Sequence, residues 1–260
     1  MPPHTASTTA RPRSAAWVRT PVERPAARLR LICFHPAGGG PGMYREWAAR
    51  LPADVEVLAV QLPGRETRIA EPCLTDYQDA VAQLHTALRP HLDRPYVLFG
   101  HSMGALLAYG VAMAAARHGD RAPGRLLLSG CGGPGVPHAK PGRSGWSDRE
   151  LVADLRSMGG TPEEVLADPE ILSLVLPTLR ADFALCDTFR RPDGPLLDCP
   201  VTVFGGEQDT VTPEGLHHWA GTTSASTTVH TYPGGHFFLT EESAPAVLAT
   251  VTAELAATPA

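Results

Sequence analysis

The segment Gly100-His101-Ser102-Met103-Gly104 constrains this chain more than any other. It reads G-x-S-x-G. Before it stands Tyr96-Val97-Leu98-Phe99, a short run of aromatic and branched apolar residues; after it comes Ala105-Leu106-Leu107-Ala108-Tyr109, a run of helix formers. Strand, tight turn and helix in that order hold a serine hydroxyl clear of a sheet, where a base can reach it. Glycines flank the serine because the turn has no room for larger side chains. Outside that context the pentapeptide would be a glycine-rich turn with an incidental serine.

The rest of the chain repeats the alternation. Strand-like runs recur at Leu29–Phe34, Val55–Val60, Arg125–Ser129, Val201–Phe204 and Thr228–Tyr232. Helical patterns lie between several of them. One covers Met43–Leu51. Another starts at Thr75, with Gln78 placed for a capping box and Tyr77, Val81, Leu84 and Leu88 at helical spacing. A third runs from Ser102 to Arg117 and stops before Gly119. Alternating strands and helices predict an α/β fold, a mostly parallel central sheet with helices on both faces.

The middle breaks this rhythm. Gly132 to Gly145 is dense in Gly and Pro and reads as a loop. Three helix starts follow: Ser147-Asp148-Arg149-Glu150 as a capping box, Thr161-Pro162 and Asp168-Pro169 as N-cap and N1 pairs. The last helix is expected to run from Pro169 to Arg190. Leu172, Val175, Leu176, Leu179 and Phe183 make one apolar stripe, and Ile171, Leu174 and Leu185 widen it beyond a single face. Such a helix either packs among its neighbours or covers an apolar substrate channel. The region about 136–195 is thus expected to form a helical lid insertion.

Composition sets the outer limits. With 260 residues and 43% hydrophobic content the chain can bury a sizeable core, and no apolar run approaches the ~18 residues of a membrane span. The formal charge of −5 gives no reason to expect nucleic-acid binding. Residues 1–28 carry five arginines and Glu23, a net of +4, which leaves −9 for the remainder. This segment is rich in Pro, Ala, Ser and Thr, lacks apolar periodicity and lacks the h-region of a secretory signal, so a disordered tail is expected. The domain proper is expected over 29–260. Five scattered cysteines without a C-x-x-C pair suit a reducing cytoplasm and suggest no zinc site.

A serine hydroxyl needs a base, and the base needs a third group to orient it. In folds of this type the order along the chain is Ser, acid, His. Val201–Phe204 leads through Gly205-Gly206-Glu207-Gln208 to Asp209, and the strand ending at Tyr232 leads through Pro233-Gly234-Gly235 to His236. Both positions fall beyond strand C-terminal ends, where open α/β sheets place their sites. Glu207 is the nearest rival acid and reads as a turn residue. Of the eleven histidines, only His236 combines a post-strand loop with flanking glycines; His85, His91, His118, His217 and His218 read as solvent-facing and His101 as structural. An oxyanion hole requires the amide after the nucleophile, Met103, and one from the loop after an early strand. His35-Pro36-Ala37-Gly38-Gly39-Gly40 fits that loop, with Ala37, Gly38 or His35 as the donor.

These residues carry a family resemblance. Phe34–Gly40, Gly100–Gly104, Gly159–Glu164, Leu179-Arg180-Ala181-Asp182-Phe183, Gly205–Asp209 and Gly235-His236-Phe237-Phe238 resemble the stand-alone type II thioesterases of polyketide and nonribosomal peptide biosynthesis, over residues 29–255. The resemblance implies an α/β-hydrolase fold with a helical lid. It implies hydrolysis of stalled or wrong acyl groups from the phosphopantetheine arm of acyl or peptidyl carrier proteins, met transiently in the cytoplasm. It further implies Ser102 as nucleophile, Asp209 as acid, His236 as base, Ala37 and Met103 as oxyanion donors, and no metal or other cofactor. A monomer is expected. His35 stands where the family usually has Pro, and Cys131–Trp146 is unusually rich in Gly and Pro. Carrier docking calls for a basic patch, for which Arg45, Arg65 and Arg68 are candidates beside their plain reading as solvated charge.

Three rivals remain at this level. A general carboxylesterase or lipase would share the same three residues, without the lid resemblance. A domain cut from a synthase would carry a different leader than residues 1–28. A non-catalytic binding protein of the same fold would normally have lost one of the three.

Overall fold

The computed structural model describes residues 17–136 and 140–259. In chain order the strands are β1 (Val18–Arg19), β2 (Leu29–Phe34), β3 (Val55–Val60), β4 (Tyr96–His101), β5 (Arg125–Ser129), β6 (Val201–Gly206) and β7 (Thr227–Tyr232). The α-helices are α1 (Arg45–Arg50), α2 (Tyr77–Leu88), α3 (Met103–His118), α4 (Asp148–Met158), α5 (Glu163–Leu166), α6 (Pro169–Asp187), α7 (Pro213–His217) and α8 (Ala244–Ala256). The strands form one seven-stranded sheet in the order β1-β3-β2-β4-β5-β6-β7. Every pairing is parallel except β1 with β3.

Parallel strands covered on both faces read as continuous apolar runs, and β2, β3 and β4 are buried at every position. Side-chain alternation divides them between two cores. Ile32, Phe34 and Leu98 face a cluster containing Tyr77, Leu84, Tyr109 and Trp219. Leu31, Cys33, Val97 and Phe99 face one containing Tyr44, Trp47, Phe238, Val247 and Val251. Helix α3 is buried from Met103 through Ala115. Its small residues admit neighbours closely: a Cβ on Gly110 would fall 2.4 Å from the Tyr77 hydroxyl.

The chain between β5 and β6 forms a helical insertion of α4, α5 and α6, with a 3-10 turn at Arg143–Gly145. Leu151, Leu176, Leu179 and Phe183 are its own small core, with Ala37, Trp146, Leu155 and Leu172 packed against it. The capping box at Ser147 and Glu150 forms, and the Asp168 side chain caps α6.

Several expectations need correction. The segment expected as a disordered tail is ordered from Trp17. The Trp17 carbonyl accepts from Gln61 N at 2.8 Å, Arg68 lies 4.1 Å from the Trp17 ring, and the Arg24 guanidinium donates to carbonyls of Ala48, Leu51, Pro52 and Val55. Residues 1–16 lie outside the described residues. Helix α2 is capped by Asp76 through Asp79 N, one residue after the expected Thr75. Pro162, not Thr161, precedes α5, and no side chain caps it. Helix α6 ends at Asp187, short of Arg190. No helix among the described residues is long and apolar enough to cross a membrane.

Candidate active site

The parallel sheet brings the C-terminal ends of β4, β6 and β7 to one edge, and the three residues singled out for catalysis stand just past those ends. Ser102 sits between β4 and α3 at φ 55°, ψ −119°, a conformation costly for a residue with a Cβ. The Ser102 amide donates to Ser129 O at 2.7 Å and Ser102 O accepts from Ala105 N at 2.9 Å, so the turn is held from both sides. The flanking glycines are obligatory on space alone. A Cβ on Gly100 would lie 2.0 Å from Gly104 O, and one on Gly104 would lie 2.2 Å from Phe34 O.

Asp209 and His236 meet across the loops after β6 and β7. These loops are laced together: Glu207 N donates to Tyr232 O at 2.9 Å and Gln208 N to Gly234 O at 3.0 Å. His236 Nδ1 lies 2.9 Å from Asp209 Oδ2, and the Asp209 side chain is 1% exposed. Asp209 Oδ1 accepts from Thr210 N at 2.6 Å. Burial raises the Asp209 carboxyl. The hydrogen bond and charge of His236, with the Thr210 and Val211 amides, outweigh it and hold the group below the ordinary carboxylate value. An ionised Asp209 can only accept, so Nδ1 carries a proton, and in the neutral ring it is Nε2 that holds the lone pair. Glu207 is exposed, as expected for a turn residue.

His101 is fully buried in the elbow, as expected. Its Nδ1 lies 2.9 Å from Ser129 Oγ and its ring centroid 5.0 Å from that of His236. Burial keeps it neutral, with the neighbouring His236 adding to the effect. His85, expected to face solvent, is instead buried and paired with Asp120 Oδ2 at 2.7 Å.

Ser102 and His236 share the wall of a cavity of about 620 Å³. Met103, Leu106, Cys131, Val136, Met158, Phe189 and Val211 supply much of its apolar lining. Arg143 and Lys140, both held by Asp154, line it as well, and Arg143 stacks on Phe183 at 4.0 Å. The stripe Leu172, Val175, Leu176, Leu179 and Phe183 is absent from this lining. Leu176, Leu179 and Phe183 are buried inside the insertion, Leu172 is half-buried against them and Val175 is exposed. The insertion's helices reach the cavity through Met158, Cys186 and Asp187 instead, and the segment before them through Lys140 and Arg143. Residues 137–139 lie outside the described residues.

The loop after β2 runs beside the elbow. Gly104 packs under its Phe34 and His35 carbonyls. Gly38 N donates to Asp182 Oδ2 at 2.8 Å and Gly39 N to Pro36 O at 3.0 Å, so two of its amides are committed. Ala37 packs between the main core and the insertion core. His35 is buried with Nδ1 2.8 Å from Pro36 O; burial and the Arg65 charge lower its pKa to about 4.

Two of the arginines considered for docking are interior. Arg65 makes a two-pronged pair with Asp182, at 2.8 and 2.7 Å. Arg68 is buried too and pairs with Glu71 at 3.0 and 2.6 Å. Only Arg45 of the three is exposed. The role of Asp182 escaped the sequence reading. Its signal was a carboxylate on the buried face of an apolar helix, which demands a buried cation somewhere.

Elbow, acid loop and histidine loop at adjoining strand ends of a mostly parallel sheet define an α/β-hydrolase. The chain belongs to the thioesterase domain family, which it matches over residues 29–255. It is 41% identical over 217 residues to the gramicidin S biosynthesis protein GrsT of Aneurinibacillus migulanus, covering 83% of this chain and 85% of that one. Among solved structures it is similar to the type II thioesterase BorB of the borrelidin biosynthetic cluster, with TM-score 0.84 and 38% identity over 92% of this chain and 98% of that one. The thioesterase RedJ of the prodiginine pathway in Streptomyces coelicolor has TM-score 0.84 and 36% identity, covering 97% of this chain and 96% of that one.

Proposed function

We propose that this chain is a stand-alone type II thioesterase that removes acyl groups from the phosphopantetheine arms of carrier proteins in polyketide or nonribosomal peptide assembly. The observation that carries the chemistry is the Asp209–His236 hydrogen bond of 2.9 Å beside a cavity that also exposes Ser102. The relatives' assembly-line context supports the substrate class.

In this reading His236 Nε2 takes the Ser102 hydroxyl proton as Oγ bonds to the thioester carbonyl carbon. The carbonyl oxygen becomes an oxyanion facing the Ala37 and Met103 amides. The C–S bond then breaks, and the departing thiolate takes the proton from His236. A thiol, with a pKa near ~8.5, needs less help in leaving than an alcohol. Water repeats the sequence on the acyl-serine: His236 accepts its proton, the acid departs and Ser102 recovers its hydrogen. Asp209 holds the imidazole in the working tautomer throughout. No metal or further cofactor enters these steps. The acyl chain occupies the cavity of Leu106, Val136, Met158, Phe189 and Val211. The carrier is a transient partner, the site of action is the cytoplasm, and the working unit is a monomer.

A hydrolysis panel of acyl-carrier proteins of varied chain length tests the reading. Ser102→Ala is expected to lose at least ~10³-fold in turnover. Near-normal thioester turnover by that variant defeats it, and turnover of simple esters alone replaces it with a carboxylesterase.

A further inference from the structure

We infer that Asp182 and Arg65 are positioning residues for the oxyanion hole, so the helical insertion shapes the site's hydrogen-bond donors as well as covering it. The inference rests on the hydrolase reading above and adds to it two residues that touch neither Ser102 nor the cavity. Asp182 lies on α6 of the insertion, while the donor loop follows β2 of the sheet. One carboxylate joins them. Its Oδ2 accepts from Gly38 N at 2.8 Å and from Arg65 Nη1 at 2.8 Å, and its Oδ1 accepts from Arg65 Nη2 at 2.7 Å. Arg65 Nη1 also donates to Gly39 O at 3.0 Å. The amide of Gly38 and the carbonyl of Gly39 are therefore both gripped by one buried ion pair.

Three consequences follow from the geometry. The Gly38 amide is spent on Asp182 and is unavailable to a reacting oxygen, which removes it from the three candidates and favours its neighbour Ala37, the donor the family resemblance implies. Gly38 has φ +72°, a left-handed conformation that sets the direction of the Ala37–Gly38 peptide, and Leu179 Cδ1 would lie 3.1 Å from any Cβ there. The pair is also nearly dry, with side chains 7% and 1% exposed. A charged hydrogen bond in such surroundings fixes its partners firmly. A loop of Pro and successive glycines has little rigidity of its own, and donor placement to within ~0.5 Å matters for this kind of catalysis.

The test uses the full-length protein, acyl thioesters of short and long chain, and three variants. Asp182→Asn leaves Arg65 without its counter-charge. The double variant Arg65→Met with Asp182→Leu replaces the ion pair by apolar groups, which buried sites often tolerate without loss of fold. Leu155→Ala loosens the insertion core while leaving both partners of the ion pair in place. The folded double variant is expected to lose about 10²-fold in kcat, the loss typical of a misplaced oxyanion donor. KM should stay within about threefold, with the same kcat loss at every chain length. Hydrogen exchange at the Gly38 amide should quicken, a readout independent of turnover. Leu155→Ala should lower Tm yet keep kcat.

A folded double variant with wild-type kcat overturns the inference. So does a loss that falls on KM or varies with chain length, an equal kcat loss in Leu155→Ala, or failure of Asp182→Asn and the double variant alike to fold, which makes the pair a folding staple only. Absence of thioester turnover in the unmodified protein would instead count against the hydrolase reading, and the exchange measurement would still report on the loop.

Discussion

His236 Nδ1 lies 2.9 Å from Asp209 Oδ2, and each residue closes a loop leaving one of two adjacent parallel strands. This contact decides which ring nitrogen keeps its proton. Asp209→Asn presents an amide that can donate to Nδ1 and so favours the other tautomer. Turnover is expected to fall about 10⁴-fold with the protein still folded. Steady-state kinetics and circular dichroism on the variant check this.

The same carboxyl carries a pH signature. Its native pKa is held below the unfolded value, so its stabilisation is present above the ordinary carboxylate pKa and is lost as pH falls through the native one. Thermal midpoints measured from pH 6 down to 3 should therefore fall less steeply for Asp209→Asn than for the parent at the acid end. Parallel curves would show that Asp209 adds nothing to the acid limb.

Glycines of this chain differ sharply in what they tolerate. Gly104→Ala puts a Cβ 2.2 Å from Phe34 O, which is backbone and cannot step aside. It is expected to cost about 1–3 kcal/mol and most of the activity, since the elbow itself must shift. Gly119 has φ +69° but open space around it, so Gly119→Ala should cost only ~1–2 kcal/mol and leave kcat alone. Urea denaturation paired with kinetics separates the two.

The apolar stripe of α6 divides by burial. Leu176 is 5% exposed in the insertion core and Leu174 is 68% exposed. Leu176→Ala should therefore destabilise by about 2–5 kcal/mol. Leu174→Ser should change stability by no more than ~0.5 kcal/mol. Denaturant midpoints at constant m-value are the measurement.

Cys131 lines the cavity, yet its thiol is pushed up to about 12, first by burial and then by the nearby Asp209 charge. At pH 7.5 it should resist iodoacetamide in the native protein and react once the protein is denatured. Mass spectrometry of the labelled peptide reads this directly. Rapid native labelling would contradict the environment described for it.

The strands and the residues at their ends were legible because each depends on local pattern. β2 to β6 declare themselves as apolar runs and β7 as a Thr-rich strand ending in Tyr232, and the glycines around Ser102 and His236 mark the turns. What escaped depended on partners far away in the chain. β1 has two residues and no pattern; it exists because β3 offers an edge and because Trp17 stacks beneath Arg68. Arg65 reads as surface charge until its counter-ion, Asp182, is placed beside it by the folding of α6. Helical periodicity found Leu176, Leu179 and Phe183 on the buried face of α6 but also included the exposed Val175, and periodicity says nothing about what covers a face. That face meets α4 and the Ala37 loop, while the cavity beside Ser102 and His236 opens elsewhere along the insertion.

The pairing of β6 with β7 runs unbroken from Val201 opposite Thr227 to Gly206 opposite Tyr232. Acid and base are thus mounted on a single stiff plank. Their 2.9 Å contact joins two loops that leave neighbouring strands of one ladder. The serine stands two strands away and is joined to them through β5, where Ser102 N donates to Ser129 O at 2.7 Å and Gly130 N to Phe204 O at 2.9 Å. The serine-to-histidine gap is therefore set by the β4–β5–β6 ladder, so a substitution that breaks that ladder at β5 should slow the reaction without touching any of the three residues.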